Sequence, residues 1–146
     1  MLKRKLLLYI PIAFVLFVFL QSLPFKFGFI DSPETEIIFT TIAEWMKTIG
    51  LGFIAPAFAK FGGIGVGLTE LIASVLLIIP ATRRLGALLG LIVISGAIFF
   101  HLFTPLGVVR VVDEATQKTD GGVLFIMACI VWVCCALILF LTRKTK

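Results

Sequence analysis

The chain has 146 residues, 60% of them hydrophobic and 14% charged, with a net charge of +5 and a mean hydropathy of +1.17. A soluble domain of this size has too little interior to hide that much apolar surface, so lipid must solvate much of it. The basic excess does not describe a nucleic-acid surface, because the charges flank apolar runs and membrane topology accounts for them.

Four apolar stretches approach the roughly 20 residues needed to cross about 30 Å of hydrocarbon. They run from Leu6 to Leu23, Gly62 to Pro80, Leu85 to Phe103 and Gly122 to Leu141. "MLKRK" ahead of the first resembles the basic start of a secretory signal, but "FLQSLPFKF" lacks a small-x-small cleavage site. We therefore expect an uncleaved first helix, with Gln21 near its outer end.

The segment "DSPETEIIFTTIAEWMKTIG" that follows is patterned as a helix over about 33–49. Asp31 or Ser32 is its expected cap, Pro33 fits its first turn, and Glu34 and Glu36 complement its positive end. Ile38, Ile42, Trp45 and Ile49 share one face, while Glu36, Thr40, Glu44 and Lys47 share the other. This is an amphipathic helix, expected at the outer membrane boundary with Trp45 as an anchor. Pro56 in "GFIAPAFAK" is expected to interrupt any longer helix before the second span.

The second span, "FGGIGVGLTELIASVLLIIP", carries Glu70 in its middle. Its glycines have neither GxGxxG nor Walker spacing and open a membrane helix rather than follow a strand, which argues against a nucleotide loop. Gly63, Gly67, Glu70 and Ser74 are spaced i, i+4, i+7 and i+11, so they share one face. Small residues let another helix approach closely, so that face is expected to point into a bundle. An ionisable side chain at a helix centre costs about 2.5–3.5 kcal/mol on insertion, which makes Glu70 a functional-site candidate. The bland alternative is an acid that only ties helices together. At about 1.5 Å per residue, Glu70 is expected roughly 12 Å below the outer end of a span that begins at Gly62.

After the short turn "PATRRLG", Gly86, Gly90, Ala97 and His101 form a second inward stripe on the third span. The polar loop "TPLGVVRVVDEATQKTDGG" then leads to Asp120, a candidate cap for the fourth span. In that span Gly121, Ala128 and Cys135, and likewise Gly122, Cys129 and Ala136, recur every seven residues as a packing seam. Its three cysteines lack metal or redox spacing, so no metal site is expected.

Lys3, Arg4, Lys5, Arg83, Arg84, Arg143, Lys144 and Lys146 lie at one side of the four spans, in segments without acids. The positive-inside rule then places both termini in the cytoplasm. The expected fold is an all-α membrane protein, a four-transmembrane-helix bundle of one domain, multi-pass in the inner membrane, with the amphipathic helix added in its first outer loop. Gln21, Glu70, Ser74, His101 and Asp120 are the candidate pocket residues. Gly63, Gly67, Gly86, Gly90, Gly121 and Gly122 are the candidate helix-packing glycines.

"FGGIGVGLTELIASVLLIIPATRRLGALLG", then "GAIFFHL" and "DGGVLF", resembles the DoxX-like family of four-span membrane proteins from about Lys60 onward. The family pattern falls on Glu70, Arg83, Arg84, Gly86, His101, Asp120 and Gly121, whereas the amphipathic insertion before Trp45 departs from shorter members. The resemblance implies an accessory membrane subunit, since relatives accompany quinone-linked thiosulfate oxidation or oxidative-stress complexes. The first functional expectation is thus a non-catalytic accessory or scaffold subunit for a redox or envelope-stress complex. Its partners would be the lipid bilayer and a protein in the membrane or on its outer face, with no cofactor of its own. The alternative is a quinone-linked oxidoreductase subunit in which Glu70 and His101 relay protons. A small transporter ranks third, because four spans would have to homo-oligomerise to form a pathway.

Overall fold

The computed structural model describes residues 2–113 and 115–143. Its five helices are α1 (Leu2–Lys26), α2 (Pro33–Thr48), α3 (Ala55–Ile78), α4 (Arg83–Phe103) and α5 (Val123–Leu141). Strands β1 (Val111–Asp113) and β2 (Lys118–Thr119) form an antiparallel hairpin inside the loop between α4 and α5, where the polar sequence suggested irregular chain. All but α2 are long and apolar enough to cross a membrane. No more than 28% of any of these spans is buried, and side chains such as Phe17, Ile92 and Phe140 stand more than 60% exposed. Surfaces of that kind need lipid around them.

The spans pack as a ring in which α1 meets α3, α3 meets α4, α4 meets α5 and α5 returns to α1. The hairpin turn between α3 and α4 marks one end of the bundle, and α2 and the β-hairpin cover the other. Ile12, Val15, Phe19, Ala73, Leu77, Ala87, Val131, Cys135 and Ile138 form a core on the turn side. A second cluster of Ile42, Ala43, Met46, Ala55 and Leu106 joins α2 to the opposite, capped end.

The glycines on the turn side explain how tightly the ring closes. A Cβ on Gly86 would stand 2.7 Å from the Leu77 backbone nitrogen and 2.8 Å from the Ala73 carbonyl oxygen, so α3 and α4 touch backbone to backbone there. On Gly90 it would meet Cys135 Sγ at 3.1 Å and Phe19 at 3.3 Å. Gly63 and Gly67 serve the same purpose towards Phe39 and Phe27. Gly121 and Gly122 do not pack helices. Their φ angles of +62° and +82° belong to a left-handed turn ahead of α5, a conformation that a Cβ disfavours. The seam of α5 therefore begins at Ala128 and continues through Cys135, both buried.

Arg83 is buried at the turn between α3 and α4. Its Nε donates to the Leu77 carbonyl at 2.9 Å and its Nη2 to that of Ile78 at 3.4 Å, satisfying carbonyls at the end of α3. The guanidinium also sits over the Tyr9 ring at 5.2 Å, which fastens α1 to the turn.

The largest departures from the expected span boundaries, three and seven residues, both fall at prolines. α1 continues through Pro24 to Lys26, and α3 begins at Ala55 with Pro56 in its first turn, where a missing N–H costs nothing. Glu70 therefore stands fifteen residues from the start of its helix, about 22 Å at ~1.5 Å per residue rather than 12 Å. α2 is capped by Ser32, whose hydroxyl accepts the Thr35 N–H at 3.2 Å, and Asp31 lies one residue ahead of the cap. Its apolar face is covered by protein, with Ile42 2% exposed and Trp45 edge-on to Phe99 and Phe100.

Candidate functional site

Towards the capped end the spans no longer fill the space between them, and a cavity of about 750 Å³ remains. The C-terminal part of α1, the middle of α3, the second half of α4 and the first turns of α5 form its walls, and α2 lies across it. Phe19, Phe39, Phe58, Phe100 and Leu106 make much of the lining apolar. Gln21, Ser22, Lys26, Glu70, His101 and Arg110 are among its polar groups, and Asp31 and Glu34 also line it. Concave apolar volume with a few convergent polar groups is the usual character of a small-molecule site.

Glu70 is 5% exposed and is held from α1. Lys26 Nζ donates to Glu70 Oε2 at 2.5 Å and to Ser22 Oγ at 3.0 Å, while Ser22 Oγ lies 3.2 Å from the same carboxylate oxygen. Ser22 and Lys26 are one helical turn apart on α1, so both reach the same point on α3. This contact supplies the cross-helix partner that a carboxylate at this depth requires. Gly67 is what lets α1 come so near, because a Cβ there would meet Phe27 at 2.9 Å and Lys26 Cβ at 3.3 Å.

His101 is 4% exposed and lines the same cavity. Its Nδ1 lies 2.6 Å from the Gly107 carbonyl oxygen, and its ring meets Phe125 edge-on at 5.7 Å. A carbonyl oxygen only accepts, so Nδ1 carries the proton of that bond. No hydrogen bond joins His101 to Glu70 among the described residues.

The remaining candidates divide. Gln21 lines the cavity, its amide donating to the Val18 carbonyl at 3.4 Å. Ser74 lies outside the lining; its buried hydroxyl donates to the Glu70 carbonyl at 2.8 Å and so supports α3 from within. Asp120 also stands behind the wall. Its Oδ1 accepts the N–H groups of Gly122 at 2.9 Å and Arg110 at 3.1 Å, and its Oδ2 accepts that of Leu124 at 3.4 Å. The cap position of α5 is Gly122, and Asp120 does the capping from two residues earlier. Burial raises the Asp120 carboxyl, but the N–H groups of Gly122, Arg110 and Leu124, with the Arg110 guanidinium, outweigh it and hold it below the ordinary value.

Three residues of the site were not singled out from sequence. Lys26 and Ser22 hold Glu70, and Arg110 reaches the cavity from the loop before β1. Arg110 Nη2 donates to Glu34 at 3.1 Å, joining the loop to the first turn of α2. The sequence signal for the first two was the pair of polar residues one turn apart at the end of an apolar run.

Among the described residues no group of three or more His, Cys, Asp or Glu side chains is placed to hold a metal ion. Comparisons of the chain with protein-family models, curated proteins and solved structures return no match.

Proposed function

We propose that this is a multi-pass membrane protein whose bundle holds a small amphipathic molecule in its cavity, and that it serves a redox or envelope-stress complex as an accessory subunit. The observation that carries this reading is the cavity itself. It opens at the surface of the bundle beside Gly65 and Ile92, and its volume of about 750 Å³ joins apolar walls to a few convergent polar groups, as small-molecule sites do. The accessory role is the one implied by the DoxX-like resemblance. Inner-membrane location with both termini cytoplasmic is supported by the basic residues about the α3–α4 turn and the chain ends, of which Lys144 and Lys146 lie outside the described residues.

Gly96 on α4 provides the test. It lines the cavity, and a Cβ there would meet nothing within 4 Å, so Gly96→Leu adds bulk to the cavity wall from a position where its first atom meets open space. Protein purified gently from its membrane should carry a small molecule in near-stoichiometric amount in organic extracts, and Gly96→Leu protein of equal melting temperature should not. Identical extracts from both, holding only bulk lipid, would refute the reading.

The quinone-linked alternative with a Glu70 and His101 relay is favoured by one observation, that both side chains line the same cavity. Quinone-reduction rates of the assembled complex unaltered in Glu70→Gln and His101→Gln would remove it.

A further inference from the structure

The acid at the floor of the cavity is only half used. Glu70 is 5% exposed, and both hydrogen bonds to its carboxylate, from Lys26 Nζ and Ser22 Oγ, go to Oε2. Oε1 has no hydrogen-bond partner among the described residues. The partnerless side-chain atoms that are sealed from water-sized space are Nε and Nη1 of Arg110, and Oε1 is not one of them. Oε1 therefore keeps surface that a water-sized group can touch. Glu70 is on the inward face of α3 and lines the cavity with Val66 and Thr69 of that helix and with Ser22 and Lys26 of α1, so the surface left to it is cavity surface. A carboxylate oxygen only accepts, and an unmet acceptor this deep in the protein calls for a donor.

Charge and access select that donor. Lys26 Nζ stands 2.5 Å from Oε2, so the carboxylate is already neutralised. A second ammonium at Oε1 would face the first across one carboxyl group, and an anionic head would set acceptor against acceptor; both are like-charge contacts where the dielectric is low. A neutral hydroxyl avoids both conflicts. It donates to Oε1, and its own oxygen suits the third N–H of Lys26 Nζ, which Glu70 and Ser22 leave unused. The opening beside Gly65 and Ile92 faces the lipid side of the bundle, where Ile92 is 61% exposed and Ile64 and Leu68 are also exposed. A Cβ on Gly65 or Gly96 would meet nothing within 4 Å, so small residues keep this side clear. Gly65 is five residues from Glu70, about 7 Å of helix. An occupant of the floor thus comes out of hydrocarbon, and Phe39, Phe58 and Phe100 give its chain an apolar wall.

We infer that the cavity takes a neutral, hydroxyl-headed amphiphile from the bilayer, whose O–H donates to Glu70 Oε1 and whose hydrocarbon runs along Phe58 and Phe100. The inference rests on the ligand-binding reading above and adds the class of ligand and the residue that selects it. Two sources carry this chemistry, the alkyl hydroxyl of a membrane alcohol or glyceride and the phenolic hydroxyl of a reduced quinone.

The full chain in detergent would be titrated with 1-dodecanol, 4-dodecylphenol, dodecyl methyl ether, dodecylamine, laurate and dodecane. Bound species would be counted by native mass spectrometry and affinities corrected for the partition of each probe into micelles. At least one hydroxyl probe should bind about tenfold more tightly than the ether, which has the oxygen but no donor; this is the size expected of one hydrogen bond to a charged group. Whichever hydroxyl probe binds better identifies the source. Lys26→Met combined with Glu70→Met removes ammonium and carboxylate together, leaves neither charge unpaired, and should bring the hydroxyl probes down to the level of the ether. Equal binding of the ether and both hydroxyl probes to wild type overturns the inference but leaves the cavity reading intact. So does tighter binding of dodecylamine or laurate than of the hydroxyl probes, and so does a hydroxyl preference unchanged in the folded double variant. If that variant does not fold, the wild-type comparison of hydroxyl with ether decides. Gly96→Leu should weaken binding of every probe, and unchanged binding there would put the probes outside the cavity and refute both readings. Failure of every probe to bind wild type refutes the ligand-binding reading and this inference with it.

Discussion

Removing Lys26 alone should cost more than removing both members of the Lys26–Glu70 pair. The Glu70 side chain is 6% exposed and that of Lys26 19%. Lys26→Met leaves a carboxylate almost wholly out of water, with Ser22 as its remaining side-chain partner. Breaking a buried pair in this way costs about 3–5 kcal/mol. Glu70→Gln is milder, because Lys26 closes α1 and its long stem can lift the ammonium to water, so about 1–2 kcal/mol is expected. The double variant loses both charges and replaces them with groups of similar shape, so it should be less damaged than Lys26→Met alone. Cys129, Cys134 and Cys135 are free thiols on α5, and a thiol-reactive dye that fluoresces as they become exposed reports unfolding in detergent. For a chain of this size Lys26→Met should lower the melting temperature by roughly 10 °C. Single-variant losses that simply add in the double variant would show that the two groups do not act as a pair.

The same melting assay separates the two glycines of the α3–α4–α5 seam. Gly86→Ala drives a methyl into the backbone of α3, 2.7 Å from Leu77 N, and should cost at least about 1–3 kcal/mol. Gly90→Ala meets the Cys135 and Phe19 side chains at 3.1 and 3.3 Å, which can shift slightly, and should cost less; the reverse order would contradict the packing described. Gly65→Ala meets nothing within 4 Å and should be neutral or stabilising by up to about 1 kcal/mol through helix propensity. The Asp120 carboxyl titrates below its unfolded value, so its stabilisation is complete above about pH 4 and is lost as pH falls through the lowered folded value. Melting curves between pH 3 and 6 should therefore show an acid-dependent loss in wild type that is smaller in Asp120→Asn. The exposed Asp113, held low first by the Thr116 hydroxyl and then by the Ala115 N–H, titrates in both proteins and cancels in the comparison.

Hydropathy made the four spans legible, because membrane insertion acts on summed apolar character and tolerates errors at the ends. The ends themselves were obscured by proline. Pro24 and Pro56 mark breaks in a propensity reading, yet one is carried inside α1 by its neighbours and the other opens α3. That single ambiguity placed Lys26 in a loop and so separated Glu70 from its partner. The spacing of Gly63, Gly67, Glu70 and Ser74 correctly predicted an inward face, since helical geometry is local. It carried no information on which helix would meet that face. Gly121 and Gly122 continue the seven-residue repeat of α5 in sequence but lie before its first turn, a distinction that depends on backbone angle and not on spacing. Arg110 was hidden for another reason. Its acidic partners, Glu34 and Asp120, are far apart in the chain, and Arg110 reaches Glu34 only when the α4–α5 loop folds against α2.

The two halves of the bundle are built for opposite purposes, and this bears on whether one chain can carry a solute across a membrane. On the turn side Val15, Leu77, Val131, Cys135 and Ile138 are completely buried, and Gly86 holds two backbones in contact. On the capped side the same four helices diverge around a cavity. A molecule entering that cavity meets the Lys26–Glu70 pair and then close-packed core. To continue, it would have to part α3 from α4 at the Gly86 contact, where backbone meets backbone and no side chain is available to swing aside. Interiors packed to this density are poorly deformable. The exposed positions in the cavity lining, among them Gly65 on α3 and Ile92 on α4, lie on the apolar surface of the bundle. Under the function proposed above, a ligand would leave by the route it enters, and conduction by a single chain would require that backbone contact to part.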